Sequence, residues 1–281
     1  MRLLSKPFKT RRMSTSLNIA IAGVAGRMGQ QIARTALAAG HRISGASEAP
    51  GSPNLGKDIG AILDTSQMGV LAVEDPAEAS KGADVWIDFT APKATLAALA
   101  VLKGQGVKAA VIGTTGFDGG QEAEIAETGE EMPIVKAGNF SLGVNLLCEL
   151  TRRAAESLGE DWDIEILETH HRRKVDAPSG TALMLGDAAA AGRGADLRTL
   201  RRPPYDGPDA KREPGAIGFA VRRSGGVIGE HEVTFGSDME VVSLAHTALD
   251  RAVFANGALA AARWAVRQPA GLYAMRDVLG F

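Results

Sequence analysis

The chain has 281 residues, 45 % of them apolar and 23 % charged, with 31 Lys and Arg against 33 Asp and Glu. That balance belongs to a globular protein with a sizeable core, not to a disordered one. A single cysteine, Cys148, excludes an internal disulfide scaffold, and a formal charge of −2 gives no electrostatic footprint for nucleic acid.

The first 16 residues carry five basic groups (Arg2, Lys6, Lys9, Arg11, Arg12) and no acid, leaving 26 basic against 33 acidic groups in the remainder. This start resembles part of a transit peptide but lacks the apolar region of a secretory leader. Met13 offers a cleaner start, so residues 1–16 are expected to be a basic, disordered extension. The run Leu17–Ala22 reads as a short buried strand with glycines directly after it. A helix is expected from Arg27, with Met28, Ile32 and Ala36 on one face and Gly40 as its stop. A weak strand over His41–Ala46 leads to Glu48. Ala83–Phe89 is a second clear strand, running into Thr90, Ala91 and Pro92, and Pro92 suits the first position of a helix that ends near Gly104. Val107–Ile112 is a third strand, followed by Gly113-Thr114-Thr115-Gly116, a helix around Glu122–Glu130 and a strand over Pro133–Lys136. Repeated strand-then-helix segments imply a parallel sheet with right-handed crossovers. Residues 17–140 are therefore expected to form a Rossmann-type dinucleotide-binding domain.

Uncharged runs such as the twelve residues from Ala137 to Cys148 and the fourteen from Met13 to Gly26 fall short of the roughly 20 that a bilayer span needs, so no membrane partner is expected. A helix over Ser141–Ser157 leads into Trp162–His170, a strand alternating Trp162, Ile164 and Ile166 on one side. The stretch Arg201–Pro214, with four prolines, reads as an exposed loop. Ile217–Arg223, Val227–Phe235 and Met239–Thr247 follow, separated by Ser224-Gly225-Gly226 and Gly236-Ser237-Asp238 as hairpin turns would separate them. They predict an antiparallel meander. Residues 141–248 are thus expected to be an α+β domain with a mixed or antiparallel sheet. A helix over Asn256–Val266, within 249–281, is expected to return to the first domain.

Gly23-Val24-Ala25-Gly26-Arg27-Met28-Gly29 lies between the first strand and the first helix. Glycines there let the backbone turn tightly and approach a pyrophosphate, whose charge is met by the helix N-terminus. Ala25 stands in place of the second glycine of the usual dinucleotide fingerprint, so placement rather than pattern carries the reading. Glu48 stands where a ribose-binding acid is expected; its plain alternative is a solvated loop acid. Its carboxylate would face the extra phosphate of NADPH, and two such charges ~4 Å apart cost about 1 to 4 kcal/mol. Ala49 supplies no compensating cation, so NADH is favoured, with Arg27 able to soften the preference.

The densest chemistry runs from Glu168 to Thr181 (ETHHRRKVDAPSGT). His170 and His171, two of five histidines, stand at the end of a strand and face opposite ways if it continues through them. Lys174 follows, and Ser179-Gly180-Thr181 opens a helix whose first N–H groups, with the Thr181 hydroxyl, can grip a carboxylate. Together they describe a pocket for an anionic substrate with a His and a Lys available for proton transfer. Taken singly, each has a structural reading: a core histidine, a solvated basic turn at Arg172–Lys174, an N-cap at Ser179. No metal site is expected, because His231 and His246 are remote in sequence and Cys148 has no cysteine partner.

This segment resembles the signature of the 4-hydroxy-tetrahydrodipicolinate reductase (dihydrodipicolinate reductase) family. The similarity extends to the glycine loop, Asp88–Thr90, Gly113–Phe117, Ala137–Phe140, Phe254–Gly257 and Met275–Leu279, in the family's order. The resemblance implies nicotinamide-dependent reduction of a cyclic imine dicarboxylate in the cytoplasm, in diaminopimelate and lysine biosynthesis. It also implies a homotetramer assembled through the second domain's sheet, making 141–248 the substrate-binding and oligomerisation domain. By position, Gly23, Val24, Ala25, Gly26, Arg27, Met28 and Glu48 bind the dinucleotide. Gly113, Thr114 and Thr115, with Ala137, Gly138, Asn139 and Phe140, border the nicotinamide and substrate cleft. His170 and Lys174 match catalytic proton carriers, and His171, Gly180 and Thr181 match substrate contacts. Many members carry a basic residue where this chain has Ala49, which again disfavours NADPH. The competing readings are another two-domain imine or sugar dehydrogenase and a non-catalytic dinucleotide sensor.

Overall fold

The strand Asn18–Ala22 turns Ile19 and Ile21 to one side and Ala20 and Ala22 to the other, and all four are buried. Only a sheet covered by helices on both faces hides both sets. The computed structural model describes residues 16–281, so the expectation for residues 1–16 lies outside the described residues, Ser16 excepted. In chain order the first part runs β1 (Asn18–Ala22), α1 (Arg27–Ala38), β2 (Arg42–Ser47), α2 (Ile59–Ile62), β3 (Ala72–Val73), α3 (Pro76–Ala79) and β4 (Val85–Asp88). It continues with α4 (Pro92–Leu102), β5 (Ala109–Ile112), α5 (Gly119–Gly129) and β6 (Pro133–Lys136). The second part comprises α6 (Leu142–Leu158), β7 (Asp163–His170), α7 (Gly180–Gly192), α8 (Leu197–Leu200), β8 (Ile217–Arg223), β9 (Glu230–Gly236) and β10 (Val241–Thr247). The chain closes with α9 (Ala252–Ala265), β11 (Gly271–Tyr273) and α10 (Met275–Leu279).

Seven parallel strands form the first sheet in the order β11-β6-β5-β4-β1-β2-β3. One face packs Ile19, Ile21, Val85, Ile87 and Val111 against α1 and α9. The other packs Ala20, Trp86, Ala110 and Ile112 against α3, α4 and α5 through Ala79, Leu99, Leu102 and Ile125. Strand order reverses at β1, with β2 and β3 on one side and β4, β5 and β6 on the other. In such sheets ligands bind beyond the C-terminal ends of the strands at this switch point. Here that place is occupied by the glycine loop after β1 and the Phe89–Thr90 turn after β4.

The second sheet has the order β10-β9-β7-β8 and is mixed. The antiparallel meander expected over residues 217–247 is not what forms. β8 lies parallel to β7, β9 lies antiparallel to β7 on its other side, and only β9 and β10 pair as sequential neighbours. Ser224-Gly225-Gly226 is therefore no hairpin turn; the chain after β8 crosses over the end of β7. The cause is the apolar face of β7, where Ile164 and Ile166 are buried between Ile217 and Phe219 on one side and Phe235 and Val233 on the other. The crossing is fastened by Ser224 N to His170 O at 2.8 Å and Arg172 N to Gly225 O at 3.2 Å.

Helices α6 and α7 cover the inner face of this sheet through Leu147, Ala155, Ala182, Leu185 and Ala189. Several boundaries move from their expected places. α5 begins at Gly119 because Asp118 and Gln121 cap it reciprocally; α9 begins at Ala252, four residues before Asn256. After it, β11 adds to the first sheet beside β6. No helix of the described residues is long and apolar enough to cross a membrane.

Helix α9 lies so close to the end of the first sheet that a Cβ at Gly257 would stand 1.6 Å from Phe140 O. Gly257→Ala gains about 1 kcal/mol of helix propensity but overpacks fixed backbone, for a net destabilisation of about 1–3 kcal/mol. Urea unfolding should show the lower midpoint; an unchanged or higher midpoint would contradict this packing.

Candidate active site

The glycine loop has the shape a dinucleotide needs. Gly23 adopts a left-handed φ of +62°, and its N–H donates to Ser47 O at 2.8 Å, tying the loop to the end of β2. A Cβ at Gly29 would stand 2.2 Å from Gly23 O, so glycine lets α1 start directly beneath the loop. Gly26 is the N-cap of α1 and no side chain caps the helix, which leaves first-turn N–H groups for a phosphate. The residues present therefore fit a dinucleotide. Val24 points its side chain into the core, so it offers a ligand only its backbone; Arg27 is exposed and Met28 half-buried. Glu48 lies beside the loop as its spacing predicts. Its Oε1 accepts from Ala25 N at 2.7 Å and its Oε2 from Ser52 Oγ at 3.0 Å, while Ala49 is exposed next to it.

At the end of β4, Asp88 is fully buried. Its Oδ1 accepts from Thr90 Oγ1 (2.6 Å), Thr90 N (3.0 Å) and Thr114 Oγ1 (3.1 Å). Thr114 Oγ1 also accepts from Thr90 N and from Thr95 Oγ1. The Thr114 hydroxyl is thus engaged in holding the turn, which leaves its backbone for a ligand. Gly113 lies against the Phe89 ring, and that ring meets the buried Phe140 at 5.2 Å between centroids. Thr115 and Gly138 are exposed and Ala137 is half-buried. Asn139 joins the two sheets' loops: its Nδ2 donates to Thr181 Oγ1 at 2.9 Å, and its Oδ1 accepts from Ser141 N at 2.8 Å.

The His-Lys segment is organised by Glu168, 1 % exposed. Its carboxylate accepts from His170 Nδ1 at 2.6 Å, Arg223 Nη1 and Nη2 at 2.8 and 3.0 Å, and Ser179 N at 3.0 Å. Burial alone would raise its pKa, but Arg223, then His170 and the Ser179 N–H, hold it below the usual carboxylate value. His170 ends β7 with 11 % of its side chain open to solvent. His171 lies just beyond; desolvation first, then Arg173, Arg251 and His170, push its imidazole below the ordinary value. Lys174 Nζ pairs with Asp176 Oδ1 at 2.9 Å, which lowers the Asp176 carboxyl. Ser179 caps α7, its Oγ accepting from Ala182 N at 3.1 Å. Gly180, the first residue of α7, is exposed, and a Cβ there would meet nothing within 4 Å. The opening turn of the helix therefore presents its N–H groups to solvent beside Thr181.

His231, remote in sequence, is close to His170 in space. The β7–β9 pairing brings its ring to 5.1 Å from that of His170, nearly perpendicular, with Nε2 3.1 Å from Ser179 Oγ. His246, opposite His231 in β10, places Nε2 3.4 Å from Ser141 Oγ, the cap of α6. Only the β7–β9 and β9–β10 pairings bring these two histidines here, and no spacing in the sequence signals them. Glu168 and Arg223 were missed as a pair for the same reason. Arg251, whose charge acts on His171, sits just ahead of the Phe254–Gly257 motif, which was the available signal. The Cys148 thiol is pushed up to about 12 by burial and then by Asp187, which favours its protonated form.

A glycine loop at the switch point of a parallel sheet, linked through Asn139 to a His-Lys-Glu cluster at a helix start, defines a dinucleotide-dependent oxidoreductase. Two family models cover the chain: the dihydrodipicolinate reductase N-terminal model matches residues 17–140 and the C-terminal model residues 143–279. The chain belongs to the dihydrodipicolinate reductase family. It is 50 % identical over 269 residues to the 4-hydroxy-tetrahydrodipicolinate reductase of Cereibacter sphaeroides strain KD131, covering 95 % of this chain and 100 % of that protein. With the enzyme of the same name from Parvibaculum lavamentivorans it shares 47 % over 270 residues, 95 % and 99 % of the two chains. The fold matches a dipicolinate-bound dihydrodipicolinate reductase from Paenisporosarcina sp. TG-14 with a TM-score of 0.72 at 23 % identity, over 92 % of this chain and 97 % of that one.

Burial holds His231 neutral, its pKa pushed down to about 4 from an ordinary 6.5. The unfolded chain takes up that proton first, so stability is full above 6.5 and falls as pH drops toward 4, by about 3 kcal/mol for this group. His231→Gln should be less stable at pH 7 yet lose less on acidification, so the two urea midpoints converge. Midpoints that fall in parallel would contradict a neutral, buried His231.

Proposed function

We propose that this protein reduces 4-hydroxy-tetrahydrodipicolinate, a cyclic imine dicarboxylate, to tetrahydrodipicolinate. NADH or NADPH is the hydride donor, and the step belongs to cytoplasmic diaminopimelate and lysine biosynthesis. Beyond family membership, the Asn139–Thr181 hydrogen bond carries the reading, because it sets the start of α7 against the segment that follows β6. Residues 17–140 then serve as the dinucleotide-binding domain, 141–248 as the substrate-binding and oligomerisation domain, and 249–281 as the return to the first.

When bound, the reduced nicotinamide supplies the hydride. Within Gly23–Met28, the N–H groups of Ala25, Arg27 and Met28 would hold the pyrophosphate, those of Gly23, Val24 and Gly26 being taken by the Ser47 and Gly23 carbonyls, and Glu48, on releasing Ala25 N, would take the ribose. Gly113–Thr115 and Ala137–Phe140 border the reacting ring, Thr114 and Phe140 through backbone alone. One substrate carboxylate accepts from the first N–H groups of α7 and the Thr181 hydroxyl, with His171 beside it. Loss of the 4-hydroxyl as water leaves a conjugated C=C–C=N system. Hydride addition to it drives an electron pair onto the ring nitrogen, which takes a proton from Lys174. His170 exchanges a proton with the substrate through Nε2. Glu48 followed by Ala49 makes NADH the preferred donor.

A coupled assay, with the substrate made in place by its upstream synthase, should show substrate-dependent cofactor oxidation, faster with NADH than with NADPH. His170→Ala and Lys174→Ala should each lower kcat by about 10²–10⁴. A folded protein that binds NADH without turnover would overturn the substrate and favour another imine or sugar dehydrogenase.

The protein assembles as a homotetramer through the second sheet. Its outer face, which carries Leu167, Ala220, Glu232 and Ala245, is covered by no helix among the described residues. α6 also exposes Leu142, Leu146 and Leu150 at four-residue spacing, an apolar stripe of the kind that marks a protein–protein contact. Native mass spectrometry should read four chains, and Ala245→Arg should shift the distribution to smaller species. A monomeric wild type at micromolar concentration would contradict the assembly.

A further inference from the structure

We propose that Glu168 is a positioning residue for His170: its buried carboxylate locks the imidazole with the proton on Nδ1, so that Nε2 is the atom offered to substrate. The proposal rests on the reading of His170 as a proton carrier. A carboxylate deep in the protein and paired with Arg223 offers only lone pairs, so the 2.6 Å contact to His170 Nδ1 requires a proton on that nitrogen. The opposite tautomer would set two lone pairs face to face at that distance. In the neutral ring Nε2 is then the acceptor, and in the charged ring it is the donor.

The same carboxylate links the ring to the rest of the site. Arg223, the last residue of β8, stands opposite His170 in the strand register and closes both oxygens from one side. Ser179 N, at the cap of α7, binds Oε1 from the other. The proton carrier and the helix start that grips the substrate carboxylate therefore share one anchor. His231 packs edge-on against the ring, which blocks its rotation. Position 229 keeps Nε2 uncovered, since a Cβ at Gly229 would stand 3.1 Å from it.

A structural ion pair with Arg223 would need none of this, and the two roles separate by experiment. In histidine-15N-labelled wild type, with His170 assigned through His170→Asn, the two-bond imidazole spectrum of the neutral ring should show the Nδ1–H form. An Nε2–H pattern overturns the proposal, whatever the variants do. Glu168→Gln should mix the tautomers and lower kcat about 10- to 100-fold, the loss typical when a carboxylate orienting a histidine is removed, with KM and NADH affinity within about twofold. A Gln variant that keeps kcat, or that loses only stability and substrate affinity with the tautomer unchanged, also overturns it. A wild type silent toward the assigned substrate would overturn the function instead, because the wild-type spectrum needs no turnover.

Discussion

Taking a carboxylate out of water at the end of a strand costs several kcal/mol unless charge and hydrogen-bond donors meet it there. Glu168 is met by donors from three places: Arg223 from β8, His170 from its own strand and Ser179 N from the loop before α7. That requirement constrains the second half of the chain. Arg223 reaches both oxygens because β8 runs parallel to β7 and ends level with it. A parallel β8 forces the chain to cross over the end of β7 before β9 can begin, and that crossing carries Gly229 and His231 to the ring of His170. Topology and site geometry are here the same fact.

The first sheet meets a similar constraint without a cation. Asp88, also buried at a strand end, is surrounded by the hydroxyls of Thr90 and Thr114 and the Thr90 N–H. Those bonds fix the turn after β4 next to the glycine loop, whose own geometry is set by the left-handed Gly23 and the close approach of Gly29. Each half thus ends a central strand on a buried carboxylate that shapes the loop beyond it. The segment between the halves is held at both ends, by Asn139 to Thr181 and by Ser141 to His246. Helix α9 and β11 then return to the first sheet, so the first and last strands of the described residues share one layer.

The parallel sheet was legible because its strands are buried on both faces and its helices follow at regular intervals, as Ile19–Ile21 and Val85–Ile87 show. The glycine loop and Glu48 followed from spacing, since both lie within one βαβ unit. The 168–181 cluster was visible as composition and as a family resemblance. Its organising contacts were not, because Glu168, Arg223 and His231 meet only through strand order. Sequence neighbours such as β8 and β9 suggested a hairpin, whereas the apolar face of β7 draws each to a different side. Short elements such as β3 and α10 carry too few residues for periodicity to register. Side-chain orientation was likewise hidden: Val24 and Phe140 occupy predicted site positions yet turn into the core.

The most direct test of how the two halves work together is a crystal structure of the protein with NADH and dipicolinate, the ligand held by the Paenisporosarcina reductase. One carboxylate should lie on the first N–H groups of α7 beside Thr181, with His170 Nε2 facing the ring and the nicotinamide bordered by Gly113–Thr115 and Ala137–Asn139. Dipicolinate bound instead in the arginine-lined groove of Arg198, Arg201 and Arg202, away from Thr181, would contradict a shared site.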